Sequence, residues 1–167
     1  MLYFYNVFFK HRQTSRGSRK MTRNYTVQTR ILKPVAEVFD AVVSREKLCE
    51  YFTSKATRDF SEGAEIGWCW AHYEFELPVT VNKVVENQLI ELTLDAAKWK
   101  KTVQESYPVT VVFEFTALED GSTMLSISEE GWKRDAEGLK GSHDNCSGWT
   151  HMAMCLKAWL EHGIDLR

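Results

Sequence analysis

The sequence predicts an α+β fold: one curved antiparallel sheet of about six to seven strands wrapped around a long C-terminal helix. Three features carry that prediction. In Gly148–Gly163 the apolar residues Trp149, Met152, Ala153, Leu156, Trp159 and Leu160 share one broad face at the helical period. Between residues 56 and 130 apolar side chains recur at alternate positions, broken by turn pairs at Glu62-Gly63, Asn87-Gln88 and Asp120-Gly121. Two short helical patterns stand between the first strand and the second. A helix and a sheet with one apolar face each bury those faces against one another, at roughly 1.5–3 kcal/mol per large side chain. A sheet bent around a straight helix leaves a hollow where the two surfaces diverge.

The elements follow in order. Asn24–Ile31 alternates, with Tyr25, Val27 and Thr29 on one side, and reads as the first strand. Pro34 opens a helix where its missing N–H costs nothing, and Val35, Val38, Phe39 and Val42 form its stripe. Ser44 caps a second short helix carrying Leu48, Tyr51 and Phe52. A strand is expected over Ala56–Phe60. Ile66, Trp68 and Trp70 alternate with Gly67, Cys69 and Ala71, as in a strand with one heavily buried face, ending near His72 or at Pro78. Val79–Val85 and Leu89–Leu94 form the next pair. Asp95–Tyr107 is polar, with Lys98, Lys100 and Lys101 around Trp99, and reads as an excursion between strands. Val109, Val111, Phe113 and Phe115 give the cleanest alternation, answered by Thr123, Leu125 and Ile127 across the Asp120-Gly121 hairpin. A polar run with Gly138 and Gly141 leads to the last helix, which Asn145 or Ser147 can cap and His162-Gly163 can end. Short turns between successive strands make the sheet antiparallel.

The totals set bounds. At 167 residues the chain is one domain's worth, with room for a real core. Six Trp are unusual for this size and point to a deep core or an aromatic-lined cavity. The net charge of −2 hides an asymmetry. Lys10, Arg12, Arg16, Arg19, Lys20 and Arg23 stand in a stretch without Asp or Glu, so the rest of the chain is clearly acidic. An acidic body lacks the basic footprint that nucleic acid requires. Cys49, Cys69, Cys146 and Cys155 form no CxxC pair and no Cys/His metal spacing. They read as free, buried thiols, which fits a reducing, cytoplasmic compartment. His143 and His151 are eight apart and give no metal-ligand spacing. No Gly-rich phosphate loop, nucleophile elbow or other cofactor motif is present.

Residues 1–22 read as a flexible basic extension and 23–167 as the domain. Leu2–Phe9 is too short to span a bilayer, and its basic residues follow the apolar run rather than precede it as in a secretory signal. Met21 stands where the patterned sequence begins, so residues 1–20 are expected to be dispensable.

The order of strand, Pro-initiated helix pair, meander, the step Glu130-Gly131-Trp132, and Gly148-Trp149 opening a helix that runs through Leu156-Lys157-Ala158-Trp159-Leu160-Glu161 resembles the START-like (SRPBCC, helix-grip) superfamily. Within it the closest resemblance is to the group named for homology to the activator of the heat-shock protein 90 ATPase. It covers Tyr25 to about Gly163; the individual motifs are loose, and the specificity lies in their order and spacing. The resemblance implies a sheet gripping a long helix around a hydrophobic tunnel. Relatives bind lipids, hormones or polyketides, some catalyse cyclisation or dehydration, and the eukaryotic namesake stimulates a chaperone in the stress response. This chain lacks that namesake's additional N-terminal domain, which weakens the carry-over of chaperone contact.

The expected lining of a ligand cavity is Trp68, Trp70, Phe113, Phe115, Ile127, Glu129, Trp132, Trp149, Met152 and Leu156, in the manner of apolar pockets with a few placed polar groups. For any one of the apolar residues, simple core packing is the competing reading. Parity with Leu125 and Ile127 turns Glu129 inward and Glu130 outward. An inward carboxylate can serve as an acid or orient a ligand hydroxyl, and His72 can pair with it as a base; rim salt bridging and a surface imidazole are the bland alternatives. Tyr107-Pro108 and the Trp99 loop stand where they can cover a pocket mouth. The leading expectation is a binder of a small hydrophobic molecule, without metal or cofactor, as monomer or homodimer. An enzyme of the cyclase or dehydratase kind using Glu129 and His72, and a chaperone co-factor, are the rivals.

Overall fold

The computed structural model describes residues 24–71, 76–100 and 103–167. His72 and the extension 1–22 lie outside the described residues. The elements run β1 (Tyr25–Ile31), α1 (Val35–Val43), α2 (Arg45–Tyr51), β2 (Lys55–Ala56), β3 (Glu65–Cys69), β4 (Leu77–Val85), β5 (Leu89–Asp95), α3 (Ala96–Trp99), β6 (Pro108–Ala117), β7 (Thr123–Glu130) and α4 (Ala136–His162). The seven strands form one sheet in the order β1-β7-β6-β5-β4-β3-β2, every pair antiparallel. The meander from β2 to β7 keeps sequence neighbours adjacent, and β1 closes onto β7, with Tyr25 opposite Glu129 and Val27 opposite Ile127.

Turn chemistry sets the registers. Asn87 adopts φ 57° between β4 and β5, and Gly121 φ 81° between β6 and β7. Both lie in the left-handed region that Asn and Gly tolerate. A register shift at Asn82 interrupts the β4–β5 ladder, where its side chain donates to Glu91 and Thr93.

The inner face carries Val109, Val111, Phe113 and Phe115 of β6 with Leu125 and Ile127 of β7, all at most 5% exposed. The α1–α2 pair is as the sequence indicates, with Pro34 at the N-cap of α1 and the Ser44 hydroxyl accepting from Lys47 N at 3.4 Å. Two expectations need correction. The strand expected over Ala56–Phe60 shrinks to Lys55–Ala56, after which Phe60 is held instead by its N–H to Val43 O at 2.9 Å. The last helix does not begin near Gly148. It begins at Ala136, capped by Asp135, whose carboxylate accepts from Gly138 N at 2.7 Å, and Asn145 is a buried residue in mid-helix.

That early start depends on glycine. A Cβ at Gly138 would fall 2.2 Å from the Lys133 carbonyl oxygen, and one at Gly141 2.5 Å from the Trp132 ring. Their bare backbones let the first turns of α4 close on the chain leaving β7. Further along, Trp149, Met152, Ala153, Cys155 and Leu156 press into the core. At its far end Glu161 accepts from Leu32 N at 2.6 Å, and Lys157 donates to Arg30 O at 2.8 Å, tying α4 to the end of β1. Gly163, at φ 67°, terminates it, its N–H returning to Trp159 O at 2.8 Å.

Candidate functional site

Between α4, α2 and the β3–β4 end of the sheet lies a cleft of about 810 Å³. Its apolar wall includes the rings of Phe52, Trp70, Trp99 and Trp149. Trp70 comes from just beyond β3 and Trp149 from the middle of α4. Trp99 closes α3, which the sequence reading took as part of a polar excursion. The local cause is Asp95: its carboxylate accepts from Ala97 N at 3.0 Å and Lys98 N at 3.3 Å, so one helical turn forms at the end of β5. Trp99 Nε1 then donates to Pro78 O at 3.0 Å, which fixes the indole. An Asp cap followed by Ala-Ala was the signal that could have revealed this turn.

Behind these rings stands Trp68, 1% exposed. Its indole packs edge-on against Phe52, Trp70, Trp99 and Trp149 at centroid separations of 5.7–6.3 Å. Edge-to-face contacts of this kind are worth roughly 0.5–1.5 kcal/mol each beyond burial. Trp68 Nε1 is buried and meets no hydrogen-bond acceptor among the described residues.

The remaining sequence-picked residues are placed as follows. Trp70 and Trp149 line the cleft. Phe113, Phe115, Ile127, Met152 and Leu156 are buried in the core under it, with Phe113 edge-on to Trp149 at 5.5 Å. Trp132 packs beside Gly141 and Tyr107. Tyr107 and Pro108 line a separate groove of about 390 Å³ along β4, β5 and β6.

Glu129 is 1% exposed, on the inner face with Leu125 and Ile127, and three N–H donors converge on it. Oε1 accepts from Asn145 Nδ2 at 2.9 Å and Trp149 Nε1 at 2.6 Å; Oε2 accepts from Trp132 Nε1 at 2.5 Å. The Tyr25 hydroxyl is buried beside the carboxylate and within its field. Burial, reinforced by the Glu129 charge, raises that phenol far above the ordinary tyrosine range. Glu129 thus pins β7 to α4 and holds the Trp149 indole at the cleft wall. The inner-face position of the carboxylate follows from strand parity; its Asn145 partner does not, because Asn145 stands in a polar run that looks like a helix start.

The polar lining of the cleft includes Lys100, Asp144, Asn145, His151, Asp165 and Arg167. Asp144 is held by Lys140 Nζ at 2.8 Å, a hydrogen bond that keeps its carboxyl below the usual range. Asp165 is held by Arg167, whose hydrogen bonds lower its carboxyl to about 2. The Arg167 guanidinium also reaches Cys49 O at 2.7 Å and Thr53 O at 2.9 Å, so the residues after α4 fold back on the end of α2. His151 Nε2 lies 3.5 Å from Cys155 Sγ, and burial pushes that thiol up. All four cysteines are free thiols, but only Cys155 is buried; Cys49, Cys69 and Cys146 are partly exposed, correcting the expectation that all are interior.

Residues 33–161 match the profile of the family described as Activator of Hsp90 ATPase homolog 1-like protein. The chain belongs to that family. Its sheet order and long C-terminal helix are the helix-grip architecture of the START-like superfamily. No curated protein matches it in sequence. Among solved structures it is similar to the protein SSP2350 from Staphylococcus saprophyticus, at 27% identity and TM-score 0.68, covering 86% of this chain and 96% of that one. It also shares its fold with the Aha1 dimer from Colwellia psychrerythraea (16% identity, TM-score 0.64, 83% of this chain and 98% of that one). CalU16 from Micromonospora echinospora is a third (12% identity, TM-score 0.63, 84% and 76%). Among the described residues no helix is long and apolar enough to cross a membrane, and no cluster of His, Cys, Asp or Glu has the makings of a metal site.

Proposed function

We propose that this protein binds a small, mostly hydrophobic molecule in the cleft between the sheet and α4. The observation that carries the reading is the cleft itself: about 810 Å³, with Phe52, Trp70, Trp99 and Trp149 in its wall and Lys100, Asp144, His151, Asp165 and Arg167 among its polar lining. A volume of that order suits a ligand of drug-like size, and aromatic walls with a few placed polar groups are what such ligands need. The deeper residues Phe113, Ile127, Met152 and Leu156 then act as a rigid backing for the wall. In this reading Glu129 positions Trp149 and does not act as an acid: three N–H donors already occupy its two oxygens. The free thiols fit a reducing compartment such as the cytoplasm. Monomer and homodimer are both compatible with ligand access.

The test is organic extraction of the natively purified protein, with mass analysis of what co-purifies, followed by titration of the identified molecule against tryptophan fluorescence. A bound species that quenches wild type, and a Trp99→Ala variant that binds it about tenfold or more weakly, is the expected result. No co-purifying molecule, together with no thermal shift across a panel of lipophilic ligands, overturns the reading.

A further inference from the structure

The charges on the polar side of the cleft are unequal in how they are engaged. Asp144 has Lys140, Asp165 has Arg167, and the Arg167 guanidinium also serves two carbonyl oxygens of the α2 end. Lys100 is different. It is half-buried immediately after Trp99, it lines the cleft, and among the described residues it has no ion pair or side-chain hydrogen bond. Its nearest carboxylates, Asp144 and Glu129, act on it only through space, and burial lowers its ammonium below the ordinary lysine range. Behind the wall, the buried Trp68 N–H meets no acceptor among the described residues, its ring packed against Phe52, Trp70, Trp99 and Trp149. Among the described residues the half-buried Lys100 cation lacks a hydrogen-bond-accepting anion, and the cleft it lines is where one can reach it.

Resting on the ligand-binding reading, we propose that the ligand is an amphipathic acid: a flat apolar body held by the rings, with one carboxylate facing Lys100. Indole rings at Trp70, Trp99 and Trp149 in the cleft lining suit a planar ring system. A carboxylate on Lys100 makes a charge-assisted hydrogen bond in surroundings drier than water, where such bonds strengthen. The committed state of Asp144 and Asp165 removes the competing preference for a cationic ligand.

The experiment titrates the full chain with three probes that share one apolar body: naphthylacetic acid, its neutral amide, and naphthylethylamine. Binding is read from quenching of tryptophan fluorescence at neutral pH. The acid is expected to bind about tenfold or more tightly than the amide, the usual scale for a hydrogen bond to a charged group. Lys100→Met should abolish that gap without weakening the amide, and Lys100→Arg should retain it. Acid and amide binding equally to wild type, or the gap persisting in Lys100→Met, overturns the assignment to Lys100 while leaving the hydrophobic cleft standing. The amine binding more tightly than the acid means that the aspartates set the sign, and it also overturns it. Failure of all three probes brings down the cleft reading as well. Should Lys100→Met not fold, the order of the three probes on wild type still decides.

Discussion

Replacing Glu129 by Gln tests whether this carboxylate is the pin between sheet and helix. Gln can keep one carbonyl oxygen for Asn145 and Trp149, which share Oε1, but it must turn an NH2 group toward Trp132 Nε1, which now donates to Oε2 at 2.5 Å. The change removes one hydrogen bond to a charged acceptor, roughly 1.5–3 kcal/mol, and leaves a buried indole N–H without a partner, a further ~1–3 kcal/mol. The Tyr25 hydroxyl next to it can accept from the new amide and offset part of the loss. The expected net destabilisation is about 2–4 kcal/mol, read as a lower urea midpoint at unchanged slope. Trp132→Phe in the same background removes the stranded donor, so the double variant should recover about 1–3 kcal/mol relative to additivity. A Glu129→Gln variant within about 1 kcal/mol of wild type, or strict additivity with Trp132→Phe, refutes the reasoning.

Other expectations concern packing, pH and the cleft turn. Gly141→Ala improves helix propensity by about 1 kcal/mol yet drives a methyl to 2.5 Å from the Trp132 ring, so denaturation should show a net loss of about 1–2 kcal/mol. Burial, with the Glu129 charge, keeps the Tyr25 phenol protonated, and burial with the Cys155 charge does so for Tyr51. Below about pH 10 folded and unfolded chains both hold these protons; above it only the folded chain does, so stability should fall by about 1.4 kcal/mol per pH unit for each phenol. Urea midpoints measured across alkaline pH check this, and Tyr25→Phe should flatten the slope. Asp95→Ala removes the cap of α3 and should cost about 1 kcal/mol. It should also weaken binding of naphthylacetic acid, because Trp99 and Lys100 hang from that turn; unchanged binding would mean the turn forms without its cap.

The sheet was legible because its signals are local and redundant. Val109, Val111, Phe113 and Phe115 alternate without interruption, and Asp120-Gly121 supplies the left-handed residue that joins them to Thr123–Ile127. A one-residue slip would turn every one of those side chains outward, so the pattern admits a single register. The same parity puts Glu129 on the inner face. The first three turns of α4 were illegible for the opposite reason. Ala136–Ser147 carries two glycines, and its apolar periodicity is weak, so local propensity argues against a helix. What holds it is tertiary: the Asp135 cap, the space that Gly141 leaves for Trp132, and the Asn145 amide on Glu129.

That contrast explains why the cleft was only half visible. Trp70 and Trp149 carry periodic signals and could be picked from the chain alone. Trp99 ends, and Lys100 caps, a four-residue helix whose formation rests on a single capping carboxylate, below the length at which periodicity carries information. Asp144 falls in Ala136–Ser147, the stretch of α4 whose sequence reads as a polar run before the helix. The polar half of a pocket is commonly built from such short or irregular pieces, since they can aim one charge into a cleft without burying a whole face. If Lys100 is the recognition charge, a short turn resting on the Asp95 carboxylate selects the ligand, while the aromatic wall and the Glu129 pin hold the cleft open behind it.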